Sequence, residues 1–154
     1  MAVPNIITTS HNNEGLSVFI ESPEYKALSP YVGILYSSDG EPVNLNGNAD
    51  LSKFNAHHFN DLIPKQGNIV LVAEWPAATD SRDHMHRTLS VDVGVMLSGS
   101  VECHLDSGES RLVRPGDVLL QRGTKHAWVN HSLTETARML CFVMPSQSVE
   151  GAKA

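Results

Sequence analysis

The sequence predicts an all-β, single-domain protein, a sandwich or barrel of short antiparallel strands. Three observations carry this. From residue 68 onward, β-branched and apolar runs alternate with clusters of Gly, Pro, Asn, Asp and Ser, with a turn signal roughly every eight to twelve residues. Ser100 to Leu105 alternates strictly, Val101, Cys103 and Leu105 on one face and Glu102 and His104 on the other. The chain has 154 residues, 41% hydrophobic and 18% charged, which suits one globular core rather than a disordered segment.

Asn5 to Ser10 is β-branched and reads as a strand. His11 to Gly15 is turn chemistry, and Leu16 to Ile20 is a second strand, so the N-terminus predicts a hairpin. Tyr31 to Tyr36 is the next strand, broken by the segment from Ser37 to Pro42. Residues 43–60 are rich in Asn, Asp and Ser and predict a long loop with a helical turn near Ala49 to Phe54; such a segment either covers a functional mouth or is a surface insertion. Strands follow at Asn68 to Trp75, His84 to Thr88, Val91 to Leu97, Ser100 to Leu105, Arg111 to Val113, Val118 to Gln121, His126 to Val129 and Arg138 to Met144, with a hairpin turn at Asp106 to Glu109. The organisation expected is residues 1–67 as hairpin, strand and loop cover integral to the barrel, residues 68–145 as the core, and residues 146–154 as a polar tail. The sequence shows no internal repeat.

The net charge of −6 and the absence of a Lys/Arg-rich run argue against a nucleic-acid or acidic-membrane partner. The first residues lack a secretion signal, and no apolar run is long enough to span a bilayer. Cys103 and Cys141 sit in apolar strand patterns and read as free thiols, which fits a reducing, cytoplasmic setting. No nucleotide or phosphate-loop signature is present.

The chemistry is concentrated in two runs. In His84-Met85-His86, an extended backbone aims both imidazoles to one face. The run Gly123-Thr124-Lys125-His126 places a third imidazole just after a Gly turn. Imidazoles with a carboxylate suit Zn, Fe, Ni or Mn; without metal the same residues form a polar cluster or work as acids and bases. Strand parity adds Asp92 to the face of His84 and His86 if the strand runs unbroken through Leu89-Ser90; Asp92 is then either a ligand or a buried carboxylate that orients its neighbours. Trp128 shares the parity of His126. Tyr36, Met96 and Trp128 are candidate pocket walls, with core packing as the alternative for each.

These runs resemble the two motifs of the cupin superfamily. The first is His84-x-His86 with Asp92 as the acid and, after six further residues, Gly99; the second is Gly116, then Gln121-Arg122-Gly123-Thr124-Lys125-His126, then Asn130. The wording is similar to a narrower group of small single-domain cupins from bacteria and fungal natural-product pathways. The sequence departs from the family in having Asp rather than Glu, with five residues between His86 and Asp92 where three or four are usual, and Gln121 where Pro is common, a change expected to matter little for chemistry.

The resemblance implies a jelly-roll-type antiparallel β-barrel with an N-terminal hairpin. It implies a divalent metal (Fe, Zn, Mn or Ni) on His84, His86, His126 and Asp92, and a homodimer that exchanges the hairpin. It implies an enzyme of secondary metabolism acting on a small aromatic or polyketide-like molecule, of lyase/isomerase type (decarboxylation, dehydration or cyclisation). The alternatives are a cupin oxygenase or oxidoreductase, and a barrel that binds a small ligand without catalysis.

Overall fold

A computed structural model describes residues 4–151. Residues 1–3 and 152–154, at the ends of the expected N-terminal part and tail, lie outside the described residues. The chain folds into twelve strands among those residues: β1 (Thr8–His11), β2 (Ser17–Ile20), β3 (Lys26–Ser29), β4 (Val32–Ser38), β5 (Asn68–Trp75), β6 (His86–Arg87), β7 (Ser90–Ser98), β8 (Val101–Leu105), β9 (Ser110–Val113), β10 (Val118–Arg122), β11 (Lys125–Val129) and β12 (Ala137–Pro145). One α-helix, α1 (Ala49–Ala56), precedes β5.

The strands form a six-stranded antiparallel sheet in the order β10-β7-β12-β5-β4-β3, a four-stranded sheet in the order β6-β11-β8-β9, and the separate ribbon β1-β2. The two larger sheets face one another. Met96 and Met139 of the first pack with Val101, Cys103 and Val113 of the second in one core cluster. This is the all-β, jelly-roll-compatible architecture the alternation predicts.

Local chemistry explains the connections. Asn12 Oδ1 accepts from the backbone N–H of Glu14 (3.0 Å) and of Leu16 (2.9 Å), which closes the hairpin turn. Leu105 and Glu109 close the β8–β9 hairpin, with Gly108 at φ 87°. Gly99, between β7 and β8, sits at φ 64°, and a Cβ there would lie 2.7 Å from the Cα of Ala137.

Three details differ from the sequence expectation. β3 has a weak local pattern and is held by pairing with β4 and by Leu28 packing on the core cluster of Ile34 and Phe54. The segment 43–60 contains two full turns of helix rather than one, because Phe54 is 1% exposed and packs with Ile34, Ile69, Leu71 and Val143. The strand expected from His84 to Thr88 is only His86–Arg87, preceded by a 3₁₀ turn at Arg82–His84.

Candidate active site

His86 and His126 are direct cross-strand partners in the β6–β11 register, and their ring centroids are 4.7 Å apart. His126 is 3% exposed. Its Nδ1 lies 2.9 Å from the carbonyl oxygen of Thr124. A carbonyl only accepts, so Nδ1 carries the proton and Nε2 presents a lone pair. Burial pushes the His126 pKa below its ordinary value, against the opposing pull of the Thr124 carbonyl, so the ring is neutral near pH 7.

His84 is not brought to this pair. Asp80 Oδ1 accepts from the Arg82 backbone N–H (3.0 Å), and the Arg82 guanidinium forks the same carboxylate. The backbone therefore turns, and His84 N–H donates to Ser81 O at 2.9 Å. An i, i+2 argument requires extended backbone, and here turn chemistry prevails. The His84 side chain is exposed and lies outside the cavity lining. Its carbonyl oxygen lies 3.3 Å from His86 Nδ1 and helps orient that ring.

Asp92 arrives from the opposite side. The chain leaves the four-stranded sheet after β6 and enters the six-stranded sheet at β7, so Asp92 reaches the histidines across the core rather than along their own strand. Burial raises the Asp92 pKa, against hydrogen bonds from Ser90 and Gln121 and the nearby His126.

Gln121, a position expected to matter little for chemistry, lies at the centre of this polar corner. It pairs with Asp92 in the β10–β7 register and is 6% exposed. Its Nε2 lies 3.2 Å from His126 Nε2 and 3.3 Å from Asp92 Oδ2. The amide NH2 supplies the two hydrogens that a lone pair and a carboxylate both require. The detectable signal was its parity: on β10 Val118 and Leu120 point outward while Leu119 and Gln121 point inward.

These groups form the polar corner of a cavity of about 240 Å³ whose remaining wall is mostly apolar. Trp75 and Trp128 stack at 5.0 Å between centroids, and Trp128 meets the edge of His126 at 5.5 Å. Leu71, Met139 and Cys141 complete much of the wall. Burial, with the neighbouring Asp92, pushes the Cys141 thiol up to about 12, so it is not a thiolate nucleophile near pH 7. Leu62 lines the cavity, whereas residues 43–60 do not. Met96 belongs to the core cluster beside the cavity. Tyr36 packs on Phe54, 6.1 Å between centroids, and donates to Asp50 Oδ2 at 2.9 Å; neither it nor Met96 lines the cavity.

Among the described residues, no three His, Cys, Asp or Glu side chains are arranged to hold a metal ion. The donor chemistry at the corner nevertheless fits a divalent cation. Asp92 Oδ1 and Gln121 Oε1 are both buried and have no hydrogen-bond partner, while the other atoms of the same two groups, Asp92 Oδ2 and Gln121 Nε2, meet each other, and Gln121 Nε2 also meets His126. Orphaned buried oxygens are costly unless something positive meets them.

No protein-family profile matches the chain. Individual relatives do. The chain is 37% identical over 131 residues to the cupin-domain-containing oxidoreductase fogC of Aspergillus ruber, covering 79% of this chain and 62% of that protein, so it spans less than two thirds of that relative's length. It is 33% identical to phomopsin biosynthesis cluster protein D of Diaporthe leptostromiformis, covering 97% of this chain and 82% of the relative. It is 37% identical to the cupin-domain-containing oxidoreductase srdB of Neurospora crassa, covering 86% and 68%. Among solved structures, a Cupin 2 conserved barrel domain protein from Salinispora arenicola superposes with a TM-score of 0.43 at 20% identity, covering 50% of this chain and 62% of that one. A cupin protein from Bacteroides fragilis gives 0.44 at 21% identity, covering 57% and 74%. With sequence relatives matched over nearly its whole length, and a fold of two facing antiparallel sheets, the chain belongs to the cupin family, beside cupin-domain proteins of fungal natural-product clusters.

Proposed function

We propose that this chain is a metal-dependent cupin enzyme of secondary metabolism, of oxidoreductase type, acting on a small aromatic or polyketide-like molecule. The observation that carries this is a Trp-walled, mostly apolar cavity in which His86, His126, Asp92 and Gln121 make a polar corner, with Glu74 and Thr88 also in its lining. Such a cavity suits a flat, weakly polar substrate that stacks on Trp75 and Trp128 and turns its oxygens to the corner. The names of the oxidoreductase relatives favour redox chemistry.

His86, His126 and Asp92 are the donors we propose for the divalent ion; they would have to close on it, because among the described residues no three such side chains already surround one point, and His84 is left out of the set. When bound, such an ion polarises a carbonyl or enol oxygen, and iron would add redox capacity. The chain's own contribution is a neutral imidazole in a desolvated pocket. With no ion on it, His126 Nε2 can take a proton from carbon next to a carbonyl: the C–H bond breaks, its electron pair passes to the carbonyl oxygen as an enolate, and the proton stays on Nε2; with the ion bound, that lone pair is spent on the ion.

A lyase or isomerase that enolises without net oxidation is the second reading, favoured by the neutral His126 imidazole, which works as a ligand when an ion is present and as a base when none is. Elemental analysis of protein purified without an affinity tag, followed by oxygen uptake with small phenols and aryl ketones, separates the two. Near-stoichiometric iron, lost in His86→Ala and His126→Ala, with oxygen uptake supports the oxidoreductase. Zinc without oxygen uptake supports the lyase or isomerase. Metal-free protein that still turns over substrate overturns the metal and leaves acid–base work to His126.

The partner we propose is a second copy of the chain. Leu120, Val93, Phe142 and Val70 make one apolar row across β10-β7-β12-β5 on the outer face, with Leu120 58% and Phe142 42% exposed. The β1-β2 ribbon leaves Phe19 77% exposed, and a two-stranded ribbon is marginal without something to pack on.

A further inference from the structure

We infer that Gln121 is itself a ligand of the cation site, its amide turning over to present Oε1 when the ion enters. The inference rests on the metal-dependent reading above and adds a donor from outside the motif histidines and acid.

The hydrogen bonds place Gln121 at the centre of the site rather than at its edge. Its Nε2 faces both His126 Nε2 (3.2 Å) and Asp92 Oδ2 (3.3 Å), two of the atoms a cation would use. An ion cannot share the His126 lone pair with an N–H donor, so cation binding requires that NH2 group to leave. The least costly departure is rotation of the terminal amide, because χ3 of Gln is a broad, soft torsion. Rotation brings Oε1 to the place of Nε2. Oε1 is buried and unpartnered where it stands, so leaving forfeits no hydrogen bond. An amide oxygen is a competent ligand for Mn, Fe or Zn alongside imidazole and carboxylate.

Room for this motion exists. The Gln121 side chain, with Leu119, borders the active-site cavity and also a second cavity of about 240 Å³ between β8, β9 and β10. The outcome is a four-donor set of His86, His126, Asp92 and Gln121, in which Gln121 compensates for the exposed His84.

The test is titration of the metal-stripped full chain with Co(II), read by visible d–d absorption and by calorimetry, for wild type, Gln121→Met, Gln121→Glu and His126→Ala. Methionine keeps the length and removes both amide atoms; thermal unfolding confirms that each variant is folded. The expected result is Co(II) binding by wild type, about tenfold weaker in Gln121→Met with an altered d–d spectrum, and about tenfold tighter in Gln121→Glu. Wild-type affinity and spectrum in both Gln121 variants, with loss in His126→Ala, would overturn the role of Gln121 and leave the metal site intact. No Co(II) binding by wild type would overturn both.

Discussion

The side-chain amide of Gln121 lies 3.2 Å from His126 Nε2 and bridges it to Asp92, joining strands of opposite sheets at one point. Asp92 meets this point at a cost, since burial raises its pKa and Oδ1 has no partner. Asp92→Asn removes the buried charge while keeping shape and an acceptor for Gln121. The expected outcome is a fold more stable by about 1 kcal/mol in chemical denaturation, with metal content reduced to a small fraction of wild type. A variant that is less stable than wild type would refute the trade of stability for function at Asp92.

Asn130 closes the second motif, and the structure gives it an architectural task. It is 2% exposed, and its Nδ2 donates to the carbonyls of Trp75 (2.9 Å), Pro76 (3.1 Å) and Glu135 (2.8 Å). It thereby pins the end of β5, and with it the Trp75 wall of the cavity. Asn130→Ala removes a buried amide that ties three carbonyls together and should cost about 2–3 kcal/mol by chemical denaturation. Its residual folded fraction should bind aromatic ligands more weakly, as read by Trp fluorescence.

Glu102 predicts a pH effect away from the cavity. Its carboxylate accepts from Ser110 Oγ (2.6 Å) and lies 2.7 Å from His131 Nε2 and 3.0 Å from His104 Nε2. The Ser110 hydrogen bond, then those of the histidines, hold its pKa at about 2, below the ordinary 4.5. A carboxyl with a depressed folded pKa adds stability that is complete above its unfolded value and is lost as pH falls toward the folded one. The window is therefore about pH 4.5 down to about 2. Wild type should lose more stability across that window than Glu102→Gln; parallel curves would show that the cluster contributes nothing.

Gly99 combines positive φ with a crowded Cβ position, 2.7 Å from Ala137 Cα and 2.9 Å from Thr136 O. Both obstacles are backbone and cannot swing aside. Gly99→Ala should lower stability by about 2–3 kcal/mol, visible as a fall in Tm, with no change in the metal-to-protein ratio of the folded protein.

The exposed row on the outer sheet gives the last prediction. Light scattering coupled to gel filtration should report a dimer for the wild type and a monomer for Leu120→Lys, which places a charge at the centre of the row. A monomeric wild type would remove the proposed homodimer.

The sequence by itself determined most of the strands and turns, though not β3 or the turn before β6. Strand β5 agrees with the expected Asn68 to Trp75, and the β8–β9 hairpin follows from alternation around Asp106 to Glu109. Period-two burial and turn propensity act over a few neighbouring residues, so they are legible without the fold. The inward direction of His126 and Trp128 came from the same parity.

Tertiary structure decided everything that depends on which strand meets which. His86 faces His126 because β6 pairs with β11, while His84 is diverted by the Asp80–Arg82 turn one residue before the strand begins. Asp92 and Gln121 belong to the site because β7 and β10 carry them in from the opposite sheet. A one-residue slip in either register would turn these side chains outward, and register is set by pairing and core packing across the whole domain rather than by any local run of residues.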